Sequence, residues 1–242
     1  MKILHFSDLH VWRLGFDPPD FHPKRLLGLA NLALRRRRAF APGFGRATLL
    51  RIERAIEEES PDLVVFSGDM TTTALAAEFE QAREWFAPLI RRLGERFYLL
   101  PGNHDRYTPR AAADELFERA FPSGRFGGRP ARIHTLAIGE RAAAVGFDVC
   151  VPRLISSRGE FTPALAEALE LELERRAREG RAVILIGHYP YAVPAGIRVS
   201  SEHRLNGAGR LIEIVARHKP ALYLHGHKHI RWALRPAATI SI

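Results

Sequence analysis

Phe97-Tyr98-Leu99-Leu100-Pro101-Gly102-Asn103-His104-Asp105 is the stretch that decides the fold. An apolar run of strand length meets a Pro-Gly turn, and three side chains able to bind metal or carry protons follow at once. Gly before the polar group lets the backbone turn sharply as it leaves the strand. The arrangement recurs outward along the chain. Ile3 to Phe6 leads into Asp8-Leu9-His10, and Leu63 to Phe66 leads into Gly68-Asp69. Val183 to Ile186 leads into Gly187-His188, and Leu222 to Leu224 leads into Gly226-His227-Lys228-His229. Ala142 to Phe147 reads as a sixth strand.

Between these runs, Ala47 to Glu59, Ala74 to Leu93, Ala111 to Ala120, Pro163 to Glu179 and Gly207 to His218 carry helical patterns. Thr162-Pro163 supplies a helix start, the Thr capping and the Pro filling the first turn. Alternation of strand and helix predicts α/β layers with strands buried on both faces. In such folds the C-terminal strand ends face the ligand crevice, so five loops are expected to converge there. The Pro- and Gly-rich residues 122–130 read as a crossing between two sheets of one domain spanning 1–242.

Composition sets the outer bounds. Of 242 residues, 46% are hydrophobic and 26% charged, a globular balance that excludes a disordered chain. No window approaches the roughly 18 unbroken apolar residues of a membrane span. The N-terminus runs directly into a strand, leaving no room for a signal peptide, and the single Cys150 permits no internal disulfide. The expected location is therefore the cytoplasm.

Charge departs from the ordinary. The net value is +9, and Lys24, Arg25, Arg35, Arg36, Arg37 and Arg38 fall in one acid-free segment. Drawn as a helix, residues 24–38 place Lys24, Gly28, Asn31, Arg35 and Arg38 on one stripe, with Leu and Ala over the rest. Three readings stand side by side. The helix is a core element with a solvated stripe, an interfacial helix docked on an acidic membrane at the inner face, or a nucleic-acid contact. The last is the weakest, because no aromatics interleave for base stacking. The oligomeric state has no signature in the sequence.

The five loops offer three Asp, one Asn and five His. Mixed imidazole and carboxylate donors suit manganese or iron, with zinc as the third choice. Their number exceeds one tetrahedral site, which points to two divalent ions sharing a carboxylate, a device suited to phosphoryl hydrolysis. No Walker-type phosphate loop is present, so NTP-driven chemistry is excluded.

In this order, Asp8-x-His10, Gly68-Asp69, Gly102-Asn103-His104-Asp105, Gly187-His188 and Gly226-His227-x-His229 resemble the calcineurin-like metallophosphoesterases, over residues 3–229. The resemblance implies a four-layered α/β/β/α sandwich with a dinuclear centre. It implies that Asp8, His10, Asp69 and His229 hold one metal, and that Asp69 bridges to a second completed by Asn103, His188 and His227. It places His104 outside the metal shell, protonating the leaving oxygen or stabilising charge, with Asp105 orienting it. The expected reaction is attack of a metal-bridging hydroxide on a phosphodiester or diphosphate of cyclic-nucleotide or nucleotide type. Two alternatives accompany it: membrane-surface hydrolysis of a lipid-linked diphosphate such as a UDP-diacylglucosamine, and a catalytically silent scaffold. Enzymes acting on that lipid often carry Arg where this chain has His104.

Two features depart from the family pattern. The stretch between His10 and Asp69 is long, the excess being a basic helical insertion at about 16–46, and only 13 residues follow His229. Several residues near the loops stay open between roles. His22 and His203 are within reach as substrate contacts, Asp148 either faces the cleft or caps a turn, and Tyr189 and Tyr191 either wall the pocket or pack. Arg106 either binds a phosphate oxygen or is solvated.

Overall fold

The computed structural model of the chain describes residues 1–13, 22–26, 28, 30, 43–122 and 132–233. Three strands, β1 (Ile3–Phe6), β2 (Leu63–Phe66) and β3 (Phe97–Leu99), pair in parallel in the order β1-β2-β3. A second sheet has the order β4-β5-β7-β9, from β4 (Ile133–Ile138), β5 (Ala142–Phe147), β7 (Ala182–Ile186) and β9 (Leu222–Leu224). Its β4–β5 pair is antiparallel and the other two pairs are parallel. A two-stranded ribbon joins β6 (Gly159–Glu160) to β8 (Leu205–Asn206).

The layering follows from the two-residue period of a strand. In β2, Leu63 and Val65 point one way into a cluster with Tyr98, Ala144, Ile184 and Ile186 from the other sheet. Val64 and Phe66 point the other way, against helices α1 (Phe44–Glu59) and α2 (Ala76–Leu93) through Leu49, Phe79 and Phe86. In β7, Val183 and Leu185 turn outward onto α5 (Pro163–Arg178) and α6 (Ala208–His218) through Leu169 and Ile214. Each central strand is thus apolar on both faces, and the result is a four-layered α/β/β/α sandwich.

The expected strands and helices are present with ends shifted by a few residues, with one exception. The region read as a single helix over 111–120 is two short ones, α3 (Pro109–Ala113) and α4 (Leu116–Ala120). Glu115 between them is left-handed at φ 49°, a conformation that ends a helix. Thr108 caps α3 by accepting from the Ala111 amide, with Pro109 in the first turn, repeating the Thr162-Pro163 device at α5. Strand β4 was not expected. It lies at the sheet edge, partly exposed, and its His134 and Thr135 interrupt the apolar run. Most of the expected loop at 122–130 and of the insertion at 16–46 lies outside the described residues.

Candidate metal centre

Asp8 and His10 follow β1, Asp69 follows β2, and Asn103 and His104 follow β3. His188 follows β7, and His227 and His229 follow β9. The loops meet because the parallel strands of both sheets end on the same side. The backbone there is unusual: Asp8, His10, Asp69, His227 and His229 all have positive φ, between 49° and 72°. Left-handed backbone at side-chain-bearing residues costs free energy and clusters where function demands a fixed geometry. Close approach adds to the constraint. A Cβ on Gly102 would meet the Asp69 carboxylate at 2.2 Å, and one on Gly226 would meet the Asp8 carboxylate at 2.6 Å.

Two donor clusters result. Asp8, His10, Asp69 and His229 form one, Asp69, His188 and His227 the other, and within each the donor atoms lie within 4.8 Å of one another. Asp69 belongs to both and is 1% exposed. Asn103 joins the second through Oδ1, which lies 3.2 Å from His188 Nε2 and 2.9 Å from His227 Nδ1.

The ring nitrogens reveal what this donor set requires. The His188 Nδ1–H donates to the Ser67 carbonyl at 2.8 Å, and the His227 Nε2–H donates to the His203 carbonyl at 3.1 Å. A carbonyl can only accept, so the opposite nitrogen of each ring is left as a lone pair. Those lone pairs face the Asn103 oxygen, and His188 Nε2 also lies 3.3 Å from Asp69 Oδ2. Facing lone pairs repel unless a proton or a cation sits among them. Burial acts to lower the pKa of His188, but the neighbouring Asp69 carboxylate outweighs it and raises the value to about 9, which is the protonic solution. A divalent ion is the other, and the carbonyls behind the rings are the usual partners of metal-bound histidines. The residues present therefore fit two metal ions.

The electrostatics agree. Burial acts to raise the Asp69 carboxyl, yet the facing imidazoles of His188, His104 and His10 hold it well below the usual carboxylate range. Burial raises Asp8 and lowers His227, the latter helped by the neighbouring His188 charge. In the first cluster His10 and His229 stack at 4.9 Å with their Nε2 atoms 3.2 Å apart, and His229 Nε2 lies 3.3 Å from Asp8.

His104 stands beside the first cluster, its ring edge-on to His10 at 4.7 Å. Its Nδ1–H donates to the Thr72 carbonyl at 2.5 Å. The expected role of Asp105 is corrected here. Rather than orienting that ring directly, its carboxylate accepts from the backbone amides of Met70, Thr71 and Gly102 and from the Thr71 hydroxyl, at 2.8–3.0 Å. Asp105 ties the loop after β2 to the loop after β3, and so acts one step behind His104.

The residues left open also find places. Arg106 is neither solvated nor free for phosphate, being buried between Asp148 at 2.7 Å and Glu118. Asp148 is buried with it and accepts from the Cys150 amide. His22 accepts from the Lys24 amide through Nδ1. His203 reaches the centre through its backbone, as the acceptor for His227. Tyr189 is buried and packs on His227 at 4.1 Å. Lys24 overturns the reading of a solvated basic stripe at its start, being 8% exposed and turned inward, and its neighbour Arg25 is buried as well. Asn31, Arg35 and Arg38 of that stripe, and Arg36 and Arg37 beside them, lie outside the described residues. Thr72, Ser67 and Tyr107 escaped sequence reasoning because two act through carbonyls and the third through its ring face, which no motif encodes.

Comparison with known proteins places these features in context. The family model described as calcineurin-like phosphoesterase matches residues 1–231. A probable cyclic nucleotide phosphodiesterase of Synechococcus is 25% identical over 175 residues, covering 72% of this chain and 60% of that protein. A probable glycerophosphodiester phosphodiesterase of Arcobacter nitrofigilis is 26% identical over 173 residues, covering 70% and 57%. A zebrafish transmembrane protein with a metallophosphoesterase domain is 36% identical over 91 residues, covering 38% of this chain and 19% of that one. The chain thus spans three fifths or less of these curated relatives. A solved zebrafish dimetal phosphatase superposes with a TM-score of 0.55 at 11% identity, covering 94% of this chain and 81% of that one, a likeness of fold.

Proposed function

The chain belongs to the calcineurin-like phosphoesterase family, and we propose that it is a metal-dependent hydrolase cleaving a phosphodiester or diphosphate. The observation that carries this reading is Asp69, whose carboxylate belongs to both donor clusters at once. Asp8, His10, Asp69 and His229 would hold one divalent ion, and Asp69, Asn103, His188 and His227 the other. Manganese or iron suits this mixture of nitrogen and oxygen donors, with zinc next. Bound ions in such a site supply charge to the phosphoryl oxygens and an acidified water as nucleophile.

The chain's own part is positioning and proton transfer. With Nδ1–H held by Thr72, a protonated His104 has its Nε2–H to give. As the water oxygen, its proton given up to solvent, bonds to phosphorus, the opposite P–O bond breaks, the departing oxygen takes the His104 proton, and solvent restores that proton to the ring. A diester or diphosphate suits an acid so placed, because an alkoxide or phosphate leaves poorly without a proton. The names of the Synechococcus and Arcobacter relatives favour phosphodiesters, a cyclic nucleotide or similar soluble ester first.

The test is turnover by protein loaded with manganese, iron or zinc on bis(4-nitrophenyl) phosphate and on cyclic nucleotides, beside His104→Ala with metal content measured. Hydrolysis of the cyclic nucleotides that collapses in the variant while two ions stay bound, with a smaller loss on bis(4-nitrophenyl) phosphate, is the expected result. Absence of hydrolysis under every metal would leave the silent scaffold in its place.

A further inference from the structure

The long connection between His10 and Asp69 reaches the centre through residues that no ligand or acid role uses. At its start, residues 23–26 form a helical turn, and Lys24 and Arg25 on that turn are buried. Burying two cations among main-chain groups is costly unless each is engaged. Lys24 Nζ donates to the Tyr107 carbonyl at 3.1 Å and sits 4.2 Å above the Tyr107 ring. Arg25 donates through Nε to the Thr73 carbonyl at 3.0 Å and through Nη2 to the Ala74 carbonyl at 2.9 Å.

Both cations therefore hold elements that hold His104. The Tyr107 ring lies against the His104 ring at 5.2 Å and 22°. Thr72, whose carbonyl accepts the His104 Nδ1–H, immediately precedes the two residues that Arg25 grips. The turn there is strained, for Ala74 is left-handed at φ 55°, and a strained turn persists only where its surroundings hold it. Gly28 completes the fit, since a Cβ on it would meet the Tyr107 hydroxyl oxygen at 2.3 Å. The hydroxyl in turn donates to the Lys24 carbonyl at 3.3 Å.

We propose that Lys24 and Arg25 are positioning residues for His104, one fixing the aromatic face against which its ring stacks and the other fixing the carbonyl that sets its tautomer. The insertion is thereby built into the placement of the acid. A cation over an aromatic face is attracted by its quadrupole, and a guanidinium bridging two carbonyls helps to hold a strained turn in place. Small errors of placement at a proton donor have large kinetic effects. This inference rests on the reading of His104 as the donor to the leaving oxygen.

The experiment uses the metal-loaded chain and a series of methyl aryl phosphates whose leaving groups run from 4-nitrophenol to phenol. A good leaving group has little need of a proton and a poor one depends on it. His104→Ala is expected to steepen the dependence of kcat on the leaving group. Lys24→Met and Arg25→Met should steepen it in the same sense, costing roughly tenfold more on the phenyl ester than on the nitrophenyl ester, a fraction of what a general acid contributes. KM and metal content should stay put. Tyr107→Phe, which keeps the ring, should behave as wild type in this ratio, whereas Tyr107→Leu should resemble Lys24→Met. If Lys24→Met, Arg25→Met and Tyr107→Leu lower all esters by one factor or none, the positioning role is overturned while His104→Ala still reports the acid. If His104→Ala itself shows no steepening, the reading of His104 falls, and this inference with it.

Discussion

The two donor clusters share a carboxylate and differ in how deeply their imidazoles are buried. In the cluster of His188 and His227, each ring is fixed by a main-chain carbonyl, from Ser67 and His203. His188 has no exposure at all, and Tyr189 seals His227 from one side. In the cluster of Asp8, His10 and His229, the rings stack on each other, and His229 is exposed. Order there comes from the loop behind, where the Thr72 hydroxyl donates to the His10 carbonyl at 3.0 Å and Asp105 gathers four donors. One cluster is sealed in the interior, and the other reaches the surface at His229. An ion among buried donors is shielded from competing water and chelators, so the His188 cluster should release its ion more slowly.

Asp69→Ala is the harshest test, because it removes the oxygen common to both clusters. Loss of several kcal/mol of transition-state stabilisation is expected, roughly a thousandfold in turnover, with fewer than two ions retained by elemental analysis. Retention of both ions would show that the clusters are independent. The next effect separates them. A chelator should strip the wild-type protein in two phases, the fast one from the exposed His229 side. His229→Ala should keep only the slow phase and His188→Ala only the fast one. Equal phases in both variants would erase the contrast drawn from burial.

Asp105→Asn reaches the first cluster through its scaffold alone. An amide nitrogen would face backbone N–H donors at 2.8–3.0 Å, leaving buried amides unpaired. A buried donor without a partner costs about 1–3 kcal/mol. Chemical denaturation should register that loss, and the fast-stripping ion should weaken more than the slow one. An equal weakening of the two would mean that the loop after β3 supports both.

The strand ends were legible because each joins a strong local signal, an apolar run closed by glycine, to residues that rarely serve packing. That made Asp8, His10, Asp69, Asn103, His104, His188, His227 and His229 visible, and the structure brings them together. The sandwich was readable from the same runs through the family pattern they compose. What lay hidden acts through groups every residue owns. The carbonyls of Ser67, Thr72 and His203 carry no letter in a sequence, and whether Lys24 points to solvent or inward depends on Tyr107, 83 positions away. Arg106 misled for a related reason: only the fold brings Asp148 and Glu118 to it. Strand β4 was hidden because an edge strand need not be apolar throughout.

Glu78 gives the most selective effect. It is buried behind the first cluster, where its carboxylate accepts from the Thr73 amide at 2.8 Å, the Leu75 amide at 3.2 Å and the Thr73 hydroxyl at 3.2 Å. Burial pushes its pKa up from 4.5 to about 7, against the pull of those donors and of Arg25. A carboxyl raised in the folded state binds its proton more tightly there than in the unfolded chain. Its contribution to stability is therefore complete below about 4.5 and is lost as pH rises through about 7. Against Glu78→Gln, which cannot titrate, the wild-type unfolding free energy should fall by up to about 3 kcal/mol across that window. Taking the difference between the two proteins cancels the pH dependence that metal binding gives to both. The slope belongs to the loop that carries Thr72 and Thr73, so the fast-stripping ion should loosen with it and the slow one should not. A difference that stays level with pH would remove Glu78 from that loop's support and leave Asp105 to hold it.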